Sequence, residues 1–341
     1  MNTVTAADKL RPSDFASDQE VRWCPGCGDY AILKAMQKTL ADLGATTENT
    51  VFVSGIGCSS RFPYYMNSYG FHTIHGRAPS FATGIKLANP ELDVWVVTGD
   101  GDGLSIGANH LLHTLRRNVD VQILLFNNEI YGLTKGQYSP TSHTGTRSPS
   151  TPGGSVESPV SPVAFALGAG ARFVARSVDT LQKHLVDVLT RAHGHRGASF
   201  IEIFQNCIVY NDEVFSAFTA KGVAQEAQMH VVHGEPLVFG KDRNRGLRLK
   251  PGTVELEVVT IGDGGASEDG LLVHDETNRA LATMLAAMQP PDFPVALGVL
   301  YCNPEASFEV RMAAQVDGNQ PAMTPGDLNA LLRRGYTWTV E

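Results

Sequence analysis

Val94-Trp95-Val96-Val97-Thr98-Gly99-Asp100-Gly101, then after twenty-five residues Asn127-Asn128, itself preceded by Ile123-Leu124-Leu125-Phe126, is the stretch that decides the fold. Each apolar run has the length and composition of a strand buried on both faces of a parallel sheet. The polar residues then fall in loops beyond the carboxyl ends of strands, where open α/β sheets bind ligands. One carboxylate (Asp100) and one amide oxygen (Asn128), offered by two such loops, suit a hard cation such as magnesium. Such a cation completes its shell with water or a ligand's phosphate oxygens. Either element alone reads as a tight turn; at this spacing, each after its own strand, the pair points to a cofactor.

Working outward, α and β signals alternate. Residues 29–43 form a helix in which Ile32, Ala35, Met36, Leu40 and Leu43 share one face, with Asp29 as its expected cap and Gly44 as its stop. A strand is expected at 50–54, helices at 78–88 and 106–117, and further αβ alternation at 173–175, 181–192 and 200–204. The fold class is therefore α/β, a doubly wound and mostly parallel sheet. Residues 138–162 are Ser-, Thr-, Gly- and Pro-rich and too long for an ordinary connection, which predicts a lid or a partner-facing loop. Beyond about residue 221 regularity falls off around one helix at 276–288 and one strand at 295–301. Three segments follow: an N-terminal tail at 1–20, a cofactor-binding domain at 21–220, and an irregular C-terminal appendage at 221–341.

The chain has 341 residues, 43% hydrophobic and 18% charged, with formal net charge −8, enough to bury one large core or two smaller ones and no reason to expect nucleic acid or an anionic membrane. No apolar stretch approaches twenty residues and residues 1–20 lack a signal-peptide core, so a cytoplasmic protein is expected. The basic run from Lys241 to Lys250 reads as a solvated face or a patch for an acidic partner. Of the five cysteines, Cys24 and Cys27 form a Cys-Pro-Gly-Cys pair, and Cys58 and Cys207 each follow an apolar strand. Four thiolates at one sheet edge would suit zinc or an iron–sulfur cluster equally well by count. Cys302 fits neither pattern and reads as an apolar filler.

The Gly-Asp-Gly to Asn-Asn pattern resembles the diphosphate motif of thiamine diphosphate enzymes. That resemblance implies magnesium held by the side chains of Asp100 and Asn128 and the carbonyl of Ile130, with Gly99, Gly101 and Asp102 beside the diphosphate. Gly132 and Leu133 would follow toward the thiazolium ring. Trp23-Cys24-Pro25-Gly26-Cys27-Gly28, Gly57-Cys58-Ser59-Ser60-Arg61, His75-Gly76-Arg77-Ala78 and Gln205-Asn206-Cys207 resemble the β subunit of 2-oxoacid:ferredoxin oxidoreductases, 2-oxoglutarate type. The likeness runs over about residues 20 to 220, and 233–241 is similar to the family's C-terminal segment.

In that family Cys24, Cys27, Cys58 and Cys207 would carry a [4Fe–4S] cluster. Ile56, Gly57, Cys58 and Ser59 would touch the thiamine, Arg61 would face the substrate carboxylate, and His75 would lie near the cofactor. The activating glutamate of thiamine enzymes has no recognisable counterpart; Glu20, Glu48 and Glu129 qualify by residue type only. The resemblance thus implies half of an active site, completed by an α subunit, as an α2β2 assembly. It further implies oxidative decarboxylation of 2-oxoglutarate with coenzyme A to succinyl-CoA and CO2, with ferredoxin as acceptor. The alternatives are a member specific for pyruvate or another 2-oxoacid, and a non-catalytic scaffold with structural zinc.

Overall fold

The computed structural model describes residues 9–262, 265–318 and 325–340, so the first eight residues of the expected tail lie outside the described ones. Eight strands build the central sheet: β1 (Thr50–Ser54), β2 (Tyr69–His72), β3 (Asp93–Gly99), β4 (Gln122–Asn127), β5 (Phe173–Val178), β6 (Ser199–Phe204), β7 (Gln228–Val231) and β8 (Val295–Cys302). Their order across the sheet is β2-β1-β3-β4-β6-β5-β8-β7. The first six run parallel, while β8 pairs antiparallel with β5 and parallel with β7.

Burial on both faces explains the apolar runs. Val94 and Val96 join one core with Val51, Val53, Ile123 and Leu125, while Trp95 and Val97 join the opposite core with Phe52, Leu124 and Phe126. Successive strand residues alternate between two hydrophobic layers, so neither face can be polar. Helices α1 (Asp29–Leu43) and α2 (Ala78–Ala88) cover opposite faces, as a doubly wound sheet requires. Between β3 and β4 lie α3 (Asp100–Leu104) and α4 (Ala108–Arg117). The N-terminal segment is also anchored, since Phe15 is fully buried in the second core.

Two of the eight strands, β7 and β8, come from beyond residue 220. The stretch expected as an appendage thus completes the main sheet, with Leu297 and Leu300 fully buried. The rest of it holds a three-stranded antiparallel sheet, Val238–Phe239, Arg245–Leu249 and Leu256–Thr260. The basic run enters that sheet, where Arg248 pairs with Glu257 at 2.6 Å and Lys250 with Glu255 at 3.8 Å, so part of its charge is neutralised.

Three local expectations change. Gly28, not Asp29, caps α1, and Asp29 is buried in the first turn. The helix expected at 276–288 is Arg279–Ala286, because the Asn278 side chain accepts from the Leu281 amide and starts it late. Strand β2 had no apolar run to announce it: all four of its residues are exposed at the sheet edge. Among the described residues no helix is long and apolar enough to cross a membrane.

A chain ending at residue 220 is expected to lose cooperative unfolding, because β5 would become an unpaired apolar edge. Circular dichroism melts and size exclusion of the shortened chain check this. A monodisperse product with a sharp transition would contradict it.

Candidate functional site

Register aligns the strand ends. Ser54 pairs with Val97, Gly99 with Phe126, and Asn127 with Phe204. The loops after β1, β3, β4 and β6 therefore leave from one edge, beside the point where the chain's crossovers diverge from β1 toward β2 and β3. Ile56, Gly57, Cys58, Ser59, His75, Gly99, Asp100, Gly101, Asp102, Asn128, Ile130, Gly132 and Leu133 all line one cavity there.

Asp102 organises that cavity. Its Oδ1 accepts from the Gly76 amide at 2.7 Å and the Ile56 amide at 3.1 Å, and its Oδ2 from the Thr98 hydroxyl at 2.8 Å. The carboxylate thus ties two loops to the end of β3. Neighbours must be small: a Cβ on Gly55 would sit 1.9 Å from Asp102 Oδ2, and one on Gly107 would sit 2.5 Å from the Asp102 carbonyl.

Asp100 is buried, and burial raises its pKa, against the pull of the Ser139 and Thr141 hydroxyls. Both hydroxyls donate to its Oδ2 at 2.6 Å. They belong to the Ser/Thr-rich stretch expected as a lid or a partner-facing loop, whose first residues pack against the carboxylate. Its own bonds, Gly145 amide to Ser155 carbonyl at 2.7 Å and Val160 amide to Pro140 carbonyl at 2.8 Å, close it into a compact loop. Those two hydroxyls were hidden in the sequence, because a Ser/Thr-rich loop carries no register. Tyr131 was missed as well. Its hydroxyl donates to the Gly101 carbonyl at 3.1 Å, and a Cβ on Gly101 would sit 2.2 Å from its ring.

The four motif cysteines line a second cavity with Arg22, Trp23, Arg61, Gln205 and Tyr210. The two cavities share Cys58, Asn128, Gly132 and Leu133. Gly132 borders both, and a Cβ there would lie 3.5 Å from Cys207 Sγ and 3.6 Å from Cys58 Sγ. Two clamps close the cysteine cavity. The Trp23 indole donates to the Cys58 carbonyl at 2.7 Å, and the Gly28 amide donates to the Asn206 carbonyl at 3.2 Å.

Burial pushes the Cys58 thiol up to about 12 and raises that of Cys27 as well, with Asp29 adding repulsion to both. Burial also lifts Asp29 itself to about 7. Among the described residues no three His, Cys, Asp or Glu side chains stand close enough to hold a single metal ion.

Of the two residues expected to act on substrate, His75 is exposed at the mouth of the first cavity. Arg61 lines the second, where its guanidinium donates to the Arg22 carbonyl at 2.9 Å. Neither Glu20, Glu48 nor Glu129 lines the first cavity. Glu129 faces a third, separate cavity with His143, Arg176 and Glu202, and burial lifts its carboxyl to about 8. Cys302 is half-buried, well away from the other four and packed against the second core.

Residues 55–203 match the family model described as "Thiamine pyrophosphate enzyme, C-terminal TPP binding domain". The chain is 50% identical to the 2-oxoglutarate oxidoreductase subunit KorB of Mycobacterium tuberculosis, over 99% of this chain and 90% of the relative. It is 51% identical to the β subunit of 2-oxoacid:ferredoxin oxidoreductase 1 of Aeropyrum pernix, over 89% of this chain and 86% of the relative. Among solved structures, it superposes with a TM-score of 0.77 and 31% identity on a 2-oxoglutarate:ferredoxin oxidoreductase from Magnetococcus marinus, described with 2-oxoglutarate, coenzyme A and succinyl-CoA bound. That match covers 96% of this chain and 97% of the other.

Asp102→Ala should cost about 3–5 kcal/mol of stability, since three donors lose a buried, charge-assisted acceptor. Denaturant melts of the purified chain check this. A loss below about 1 kcal/mol would show that the loops hold their places without it. Thr141→Val should cost about 1.5–3 kcal/mol in the same melts, because the buried Asp100 carboxylate loses one of its two hydroxyl donors.

Proposed function

This chain belongs to the family of 2-oxoacid:ferredoxin oxidoreductase β subunits, and on that premise we propose that it serves the oxidative decarboxylation of 2-oxoglutarate. The products are succinyl-CoA, formed with coenzyme A, and CO2, with electrons leaving through a [4Fe–4S] cluster to ferredoxin. It is an oxidoreductase subunit that carries a thiamine diphosphate-binding domain and needs a partner subunit. The proposed assembly is α2β2.

The observation that carries the reading is the common wall of the two cavities, Cys58, Asn128, Gly132 and Leu133. A site for a diphosphate-bearing cofactor and a four-thiol cage with one wall between them fit a reaction that takes electrons from a carbon centre one at a time. A scaffold would have no use for that proximity. When bound, thiamine diphosphate supplies the nucleophile and electron sink for decarboxylation, and the cluster supplies a one-electron acceptor.

Each residue then has a task. Asp100, Asn128 and the Ile130 carbonyl would hold magnesium, a hard-oxygen set suited to an ion that keeps its remaining positions for phosphate. Ser139 and Thr141 orient the Asp100 carboxylate. Ile56, Gly57 and Ser59 border the cofactor, as do the main chain of Gly99, Gly101 and Asp102, and Gly132 and Leu133. His75 would donate to a diphosphate oxygen or move a proton there. Arg61 keeps unused donors on its fork for a substrate carboxylate. Cys24, Cys27, Cys58 and Cys207 would ligate the cluster, whose iron would stabilise them as thiolates.

The absent glutamate and the exposed rim agree on the partner. Ile74, Ile106 and Leu133 are 64%, 56% and 41% exposed around the cofactor cavity. An α subunit seated there would cover that apolar surface and supply the missing carboxylate.

Co-expression with the α subunit and anaerobic purification should give a brown complex with equimolar iron and sulfide. It should reduce a dye with 2-oxoglutarate and coenzyme A, and faster than with pyruvate. Cys58→Ala should lose iron and dye reduction together. A colourless complex containing zinc would contradict the cluster, and equal rates on pyruvate would contradict the substrate.

A further inference from the structure

Gln205 stands between the two sites and touches a ligand of each. It is 1% exposed, at the end of β6, where its amide donates to the Asn127 carbonyl at 2.8 Å. Its side-chain Oε1 accepts from Asn128 Nδ2 at 2.7 Å. Its Nε2 donates to the Asn206 carbonyl at 2.5 Å and to Cys27 Sγ at 3.3 Å.

Chemistry fixes which way this amide points. Nε2 faces a carbonyl and a sulfur, both acceptors, so the flipped orientation would set oxygen against two acceptors. Oε1 is thereby committed to Asn128, which must answer with its NH2 group. Asn128 Oδ1 is then turned the other way, toward the Ile130 amide at 3.2 Å and the metal loop. One buried amide thus decides which atom Asn128 shows to a cation, and it supplies an N–H to a cysteine sulfur.

We propose that Gln205 is a positioning residue that couples the magnesium loop to the cysteine cage. This rests on the ligand assignments proposed above. Two effects follow. Hydrogen bonds to ligand sulfurs are among the determinants of a cluster's potential, and a donor stabilises the more negative, reduced form. Residues that orient a metal ligand typically control affinity by about 10–100-fold. Losing Gln205 therefore moves both centres at once, although it is proposed as a ligand of neither.

The test uses the αβ complex and two variants. Gln205→Leu removes both contacts. Gln205→Glu keeps an oxygen facing Asn128 and sets a second oxygen, in place of the N–H, against Cys27 Sγ and the Asn206 carbonyl. Two quantities are read: the cluster midpoint potential, by redox titration followed by electron paramagnetic resonance, and the magnesium concentration that half-saturates thiamine diphosphate binding. Gln205→Leu should shift the potential negative and raise the magnesium requirement about tenfold or more. Gln205→Glu should shift the potential negative and leave the magnesium requirement within about twofold of the parent's.

If Gln205→Leu carries a cluster with only one of the two quantities changed, or neither, the coupling is overturned. An unchanged potential in Gln205→Glu overturns it as well, and that arm stands even where the leucine variant does not fold. A parent complex without iron and sulfide overturns the ligand assignments themselves, a failure visible before any variant is made.

Discussion

A single buried carboxylate carries the cofactor edge of this molecule. Asp102 collects the amides of Ile56 and Gly76 and the hydroxyl of Thr98, and so binds the loop after β1, the loop before α2 and the end of β3 into one surface. Hydrogen bonds to a charged acceptor contribute about 1.5–3 kcal/mol each, and the penalty for orphaning buried donors is similar, so the arrangement is close to all-or-none. The small residues around it follow from this. Gly55 and Gly107 leave the room that the carboxylate and its helix need, and Gly76, at φ +64, adopts a left-handed turn that presents its amide.

On that base the two sites occupy neighbouring positions of one rim. Strand register sets their separation: β3, β4 and β6 end level with one another, so Asp100, Asn128 and Cys207 emerge side by side. Gly132 lies in the wall that they share. The same geometry explains why the chain is incomplete alone. Its rim carries the residues proposed to hold the metal and the cluster, and Glu129 turns away from the cofactor cavity into the third one.

Much of this was legible in the sequence, for physical reasons. Strands buried on both faces must be continuously apolar, so β1, β3, β4 and β6 announced themselves, and with them the loops at their carboxyl ends. The cysteines were legible as a set, although count alone could not separate zinc from iron–sulfur. What stayed hidden depends on contacts distant in the chain. Ser139 and Thr141 sit in a stretch with no periodicity, yet their hydroxyls hold Asp100. Strand β2 is exposed on all four residues and gave no hydrophobic signal. The stretch after 221 looked peripheral because its strands are separated by long irregular segments, although β7 and β8 close the sheet. Gln205 lay within a quoted motif and still carried no visible task, since both its partners come from elsewhere in the chain.

The claim on which the account turns is that the divalent-metal site and the cysteine cage are immediate neighbours. Replacing magnesium by Mn2+ in the thiamine diphosphate-loaded complex, and comparing Mn2+ relaxation with the cluster oxidised and reduced, measures this directly. The account predicts strong broadening and faster relaxation of Mn2+ on reduction, as two paramagnets close together require. A Mn2+ signal indifferent to the redox state of an intact cluster would contradict it.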